Sequence, residues 1–167
     1  MDIYEPEHWR EFFLLVGTGA VTLTGLVFVA MSLNLRVIFR DATHRYRAIG
    51  TLVGLTGVFM RCSLALMGGL THRELGTMLL IVAGVAGSIN FYGYIKAYRS
   101  GSGASLLRTV TGTSLYLAEM IGAIIFISGS MSGLYIAVTV MVINSCYMIS
   151  GAWLLVMGVI RQRLSRK

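Results

Sequence analysis

An apolar run from Ile49 to Leu70 contains one charged residue, Arg61, near its middle. A run of that length can cross the roughly 30 Å hydrocarbon layer of a bilayer as a helix, which would put the arginine close to the midplane. On the insertion scale a central arginine costs about 2.5 to 3.5 kcal/mol, and each leucine, isoleucine, valine or phenylalanine around it returns about 0.3 to 0.6 kcal/mol. Insertion is therefore feasible but marginal. Counting by threes and fours from Arg61 picks out Gly50, Gly54, Gly57, Ala65 and Gly68, a stripe of small residues on the arginine's own face. The guanidinium is expected where other helices approach closest, pointing into protein or a wet cavity and away from lipid.

Four further apolar segments share this character. With 56% hydrophobic and only 13% charged residues in 167, against about 25% charged in a soluble domain, the class is an integral membrane protein. The expected fold is an all-α polytopic bundle forming a single domain, with helices at about 12–35, 48–70, 75–97, 107–128 and 134–160. Asp2, Glu5 and Glu7 precede the first segment with no basic region, so it reads as a retained helix and not a cleaved signal peptide. Trp9, Phe12 and Phe13 would anchor it at an interface, and Thr18, Thr22, Gly25, Val29 and Ser32 would offer a small face to neighbours. Its threonines read as bonded back to their own turn more readily than as pore lining.

Of 14 basic residues, eleven fall on one side of the five spans, two (Arg10, Arg73) on the other and Arg61 within. The positive-inside rule then puts the N-terminus outside and the C-terminus in the cytoplasm. The basic residues sit at the ends of apolar segments, a pattern of topology and not of a nucleic-acid groove. Ser100 to Ser105 (SGSGAS) reads as a flexible link, and the cluster Arg161, Arg163, Arg166 and Lys167 as a topology anchor that can also meet anionic lipid. Cys62 and Cys146 lie inside apolar runs and read as packing residues.

Counted from the basic ends of their helices at about 1.5 Å per residue, Arg61 and Glu119 reach nearly the same depth on helices running the same way. They are expected to pair, with Asn144 and Tyr116 or Tyr147 satisfying the remaining donors and acceptors, and with Asn90 about a turn nearer the cytoplasm. Such a pair either locks which helix faces which or marks an ion pathway. No HExxH, CxxC, nucleophile elbow or phosphate loop occurs, and the histidines (His8, His44, His72) are scattered near both interfaces. Neither an enzyme nor a cofactor is expected, although an external metal site from His8, His72 and Glu74 is conceivable. The leading reading is a small, homo-oligomeric channel or transporter. The alternative is a membrane subunit that binds and regulates another membrane protein.

The strings EFFLLVGTGAVTLTGLVFVAMSLNL (Glu11 to Leu35), DATHRYRAIGTL (Asp41 to Leu52) and YMISGAWLL (Tyr147 to Leu155) resemble a group of small, uncharacterised bacterial integral membrane proteins. Some members carry the label "modulator of FtsH protease". The resemblance implies residence in a bacterial inner membrane.

Overall fold

Glycines and one capping box set the helix ends in the computed structural model, which describes residues 4–33, 35, 38, 42–99 and 106–164. After a 3-10 turn at Glu7–Trp9, five α-helices follow: α1 Arg10–Ser32, α2 Ala42–Ala65, α3 His72–Arg99, α4 Leu106–Ile127 and α5 Met131–Leu164. The described residues contain no strand. All five helices are long and apolar enough to cross a membrane, as a multi-pass membrane protein requires.

The bounds differ from hydropathy in instructive places. Helix α2 begins at Ala42 and not near residue 48, because charge in Arg45 and Arg47 marks where lipid would end and gives a helix no reason to stop. It ends at Ala65 and not at Leu70. Gly68 and Gly69 follow, and Gly69 has φ of +78°, a conformation open to glycine at no steric cost. Gly68 therefore drops off the small-residue stripe and is exposed, while Gly50, Gly54, Gly57 and Ala65 are buried beside Arg61. Helix α3 starts three residues before the apolar segment because Thr71 and Glu74 form a capping box. The Thr71 N–H and hydroxyl donate to Glu74 Oε2 at 2.9 and 2.8 Å, and the Glu74 N–H donates to Thr71 Oγ1 at 3.3 Å. The Ser100–Ser105 link, most of the α1–α2 connection, and Arg166 and Lys167 lie outside the described residues.

Helices α2 to α5 form a ring in which each packs on the next and α5 closes back on α2, while α1 lies outside, mainly against α2. The α4–α5 approach is close enough that a Cβ at Gly122 would sit 2.7 Å from the Ala137 nitrogen, so the two backbones touch where side chains would otherwise part them. Helix α1 packs through Phe13, Gly17, Ala20 and Val27. The stripe expected to face neighbours (Thr18, Thr22, Gly25, Val29, Ser32) is exposed instead. Contact with α2 selects the other face, because Gly17 lies against Cys62, where a Cβ would come within 3.1 Å of the cysteine's own. Thr22 and Thr24 do bond back, to the carbonyls of Thr18 and Ala20. Both cysteines are free, Cys62 buried and Cys146 exposed.

The outer surface is apolar, unlike that of a water-soluble bundle. Leu15, Leu26, Phe28, Ile81, Leu107 and Trp153 are exposed, while Arg61, Asn90, Glu119, Asn144 and Thr51 are inside. An apolar exterior around a largely apolar interior that holds a few buried polar and charged side chains suits hydrocarbon as the surrounding solvent.

Candidate functional site

Helices α2 and α4 are not neighbours in the ring. They stand diagonally, and the Arg61 side chain reaches through the interior to Glu119, where Nη1 and Oε1 make an ion pair. Both side chains are almost wholly buried, at 2% and 4% exposure. The arginine is aimed by its own helix, since Nε donates to the Gly57 carbonyl one turn back at 2.9 Å. Small residues around it, including Gly57, Ala86, Ala123 and Ala137, leave room for the guanidinium between helices.

One turn before Glu119 on α4, the Tyr116 hydroxyl accepts a 3.2 Å bond from Asn90 Nδ2 of α3, and the same amide nitrogen donates to the Ala86 carbonyl at 3.0 Å. Asn144 of α5 is completely enclosed beside Tyr116. Each ring helix thus places a polar side chain in this layer. The layer is under-satisfied. Among the described residues Glu119 Oε2 and Arg61 Nη2 have no hydrogen-bond partner, and Asn144 meets the Tyr116 hydroxyl. Asn144 does not complete the ion pair's bonding as the sequence suggests, because its amide lies beside the phenol. Beside the pair is a void of about 20 Å³ lined by Arg61, Glu119, Phe13, Leu79, Leu134 and Met141, among others, room for about one water molecule.

Tyr147 belongs to a different group. Its hydroxyl donates to the Arg108 carbonyl at 2.7 Å and lies 3.0 Å from the Tyr94 hydroxyl, and the Arg108 guanidinium stacks over its ring at 4.7 Å. Arg108 Nη2 also approaches the Tyr147 carbonyl at 3.4 Å. From its number alone Tyr147 could reach the midplane, but it sits about one turn from Asn144 towards the basic end. Tyr94 and Arg108 are the partners that position alone did not select. Their signal was helical spacing, Tyr94 one turn after Asn90 and Arg108 one turn before Gly112, which leaves space for both phenols: a Cβ there would meet the Tyr94 and Tyr147 hydroxyls at 2.6 and 3.0 Å.

Polar groups therefore run from the ion pair through Tyr116, Asn144 and Asn90 to Tyr94, Tyr147 and Arg108, at the end that also carries Arg45, Arg47, Lys96 and Arg99. The opposite half is apolar. Phe13, Leu79, Leu134 and Val138 cover the pair, and above them Leu75, Phe126 and Tyr4 pack together. The segment before α1 folds over this end. The Tyr4 N–H donates to the Leu70 carbonyl at 3.0 Å, and its ring meets Phe126 edge-on at 6.2 Å. Burial, helped by the nearby Glu7 carboxylate, pushes the Tyr4 phenol up to about 12.

Among the described residues no three His, Cys, Asp or Glu side chains come together to hold a metal, so His8, His72 and Glu74 do not form the external site considered above. The site is a buried, incompletely bonded ion pair at the head of a one-sided polar path within a bundle of apolar helices. No protein-family model, curated protein or solved structure matches the chain.

Proposed function

We propose that this chain is a small channel or transporter of a bacterial cytoplasmic membrane, with its N-terminus outside, its C-terminus inside and the Arg61–Glu119 pair as its ion site. The observation that carries the reading is the under-bonded pair. Purely structural ion pairs in low dielectric are expected to have their remaining donors and acceptors satisfied, whereas here Glu119 Oε2 and the guanidinium edge a void of molecular size. A carboxylate at that depth can exchange a proton or an ion where a leucine could not. The polar residues towards the basic end support an inward route, and the packing of Tyr4, Phe13 and Phe126 corresponds to a closed outer gate. The exposed small face of α1, where Gly25 has nothing within 4 Å, supports self-association in the bilayer. The chain then contacts lipid and further copies of itself, and carries no enzymatic activity.

Proteoliposomes test this. Purified protein should carry an ion or proton current above that of empty vesicles, and Glu119→Gln should abolish its pH dependence. Folded wild-type protein that moves no tested ion would refute the reading.

A second reading, a non-transporting subunit that regulates another membrane protein, is favoured by an apolar groove of about 340 Å³ between α2 and α3, lined by Leu52, Val53, Met60, Ile81 and Val85 among others. Mild detergent extraction should then recover a stoichiometric membrane-protein partner, and its repeated absence would count against it.

A further inference from the structure

We infer that the Arg61–Glu119 cavity is a site for one small monovalent anion of halide size, which enters when Glu119 takes up a proton. The inference rests on the transport reading and names the substrate class of the same site. A guanidinium stays charged at any physiological pH, so Arg61 is a fixed positive charge in the bundle interior. Its Nε is committed to the Gly57 carbonyl and its Nη1 to Glu119, its only ionic partner among the described residues, while Nη2 has no hydrogen-bond acceptor among them. The other titratable groups around the pair, Cys62 on α2 and Tyr116 on α4, are neutral at physiological pH. Among the described residues the remaining packed elements present no titratable group to it: α1 offers Phe13, α3 Leu79, and α5 Leu134, Val138 and Met141.

Among the described residues the carboxylate is therefore the one compensating charge. When it becomes –COOH, forming only the new O–H bond with a proton from the aqueous phase, Arg61 is left uncompensated in a low-dielectric interior. An anion that takes the carboxylate's place restores neutrality, so proton and anion enter together and the net charge of the site stays at zero. The void of about 20 Å³ limits the guest to a single heavy atom. Its apolar walls favour weakly hydrated chloride or bromide over fluoride. The neutral carboxyl and the free Nη2 of Arg61 are available as donors to it.

Bromide is the probe, and binding is measured on purified wild-type protein in detergent by calorimetry, apart from any flux. One proton is linked to one anion, so bromide affinity should rise by up to about tenfold for each pH unit lowered while Glu119 is ionised in the anion-free protein. Adding bromide in weak buffer should draw up to one proton from solution. Glu119→Gln should bind bromide with no pH dependence, and Arg61→Gln should not bind it. If Glu119→Gln does not fold, proton uptake by the wild type decides the matter. Bromide binding without proton uptake, or no bromide binding at low pH, overturns the inference. Proton flux that persists unchanged when gluconate replaces halide would overturn the anion assignment and leave the transport reading intact.

Discussion

Arg61 and Glu119 meet across the diagonal of the helix ring, on two helices that do not pack on each other. The pair therefore ties together elements that backbone packing alone leaves apart. α3 and α5 are held between them.

Removing one member of the pair should cost far more than removing both. Arg61→Leu or Glu119→Leu leaves a buried charge unpaired and should destabilise by about 3 to 5 kcal/mol, whereas the double leucine variant should recover most of that loss. Thermal unfolding in detergent measures the cycle. Flux separates stability from function: the double variant should be folded and inactive.

Glycine positions should divide by what lies over them. Gly133→Ala puts a methyl group into the backbone of α4, 2.6 Å from the Gly122 carbonyl oxygen, with no flexible atom to yield. A loss of at least about 1 to 3 kcal/mol is expected. Gly19→Ala and Gly25→Ala meet nothing and should raise helix stability by about 0.5 to 1 kcal/mol. If Gly25→Ala instead weakens self-association in crosslinking assays, the exposed small face of α1 is the contact between copies.

Tyr4 makes stability depend on pH at the alkaline end. Its phenol is raised above the ordinary value near 10 to about 12. The folded state therefore holds its proton more tightly than the unfolded state, and the tyrosine's contribution is present below pH 10 and lost as pH rises towards 12. Tyr4→Phe keeps the ring against Phe126 and removes a hydroxyl that has no partner among the described residues. It should flatten this alkaline loss without lowering stability at pH 7, as followed by unfolding midpoints.

The tyrosine group at the basic end should behave as a coupled unit. Tyr147→Phe removes the bond to the Arg108 carbonyl and the contact with Tyr94, at a cost of about 0.5 to 1.5 kcal/mol. Tyr94→Phe should cost less. A double-mutant cycle should show non-additivity of about 0.5 kcal/mol or more if the two hydroxyls bond each other as observed.

Five apolar helices, the burial of the Gly50–Gly54–Gly57–Arg61–Ala65 face and the matching depth of Arg61 and Glu119 could all be read from spacing. Hydrophobic length and the helical period are local properties that a chain carries in its residue order. The true start of α3 was legible too, in Thr71-x-x-Glu74, but hydropathy alone passes over a capping box. Other features depend on which helix lies where. Tertiary packing decided that α1 turns Gly17 inward and its threonine stripe outward, that the pair spans a diagonal, that Tyr147 binds Arg108 and Tyr94, and that Tyr4 folds over the apolar end. Each of these is a contact between residues far apart in the chain. A helix with small residues on more than one face does not specify from its own period which face its neighbours will take, and shape complementarity in the assembled bundle makes that choice.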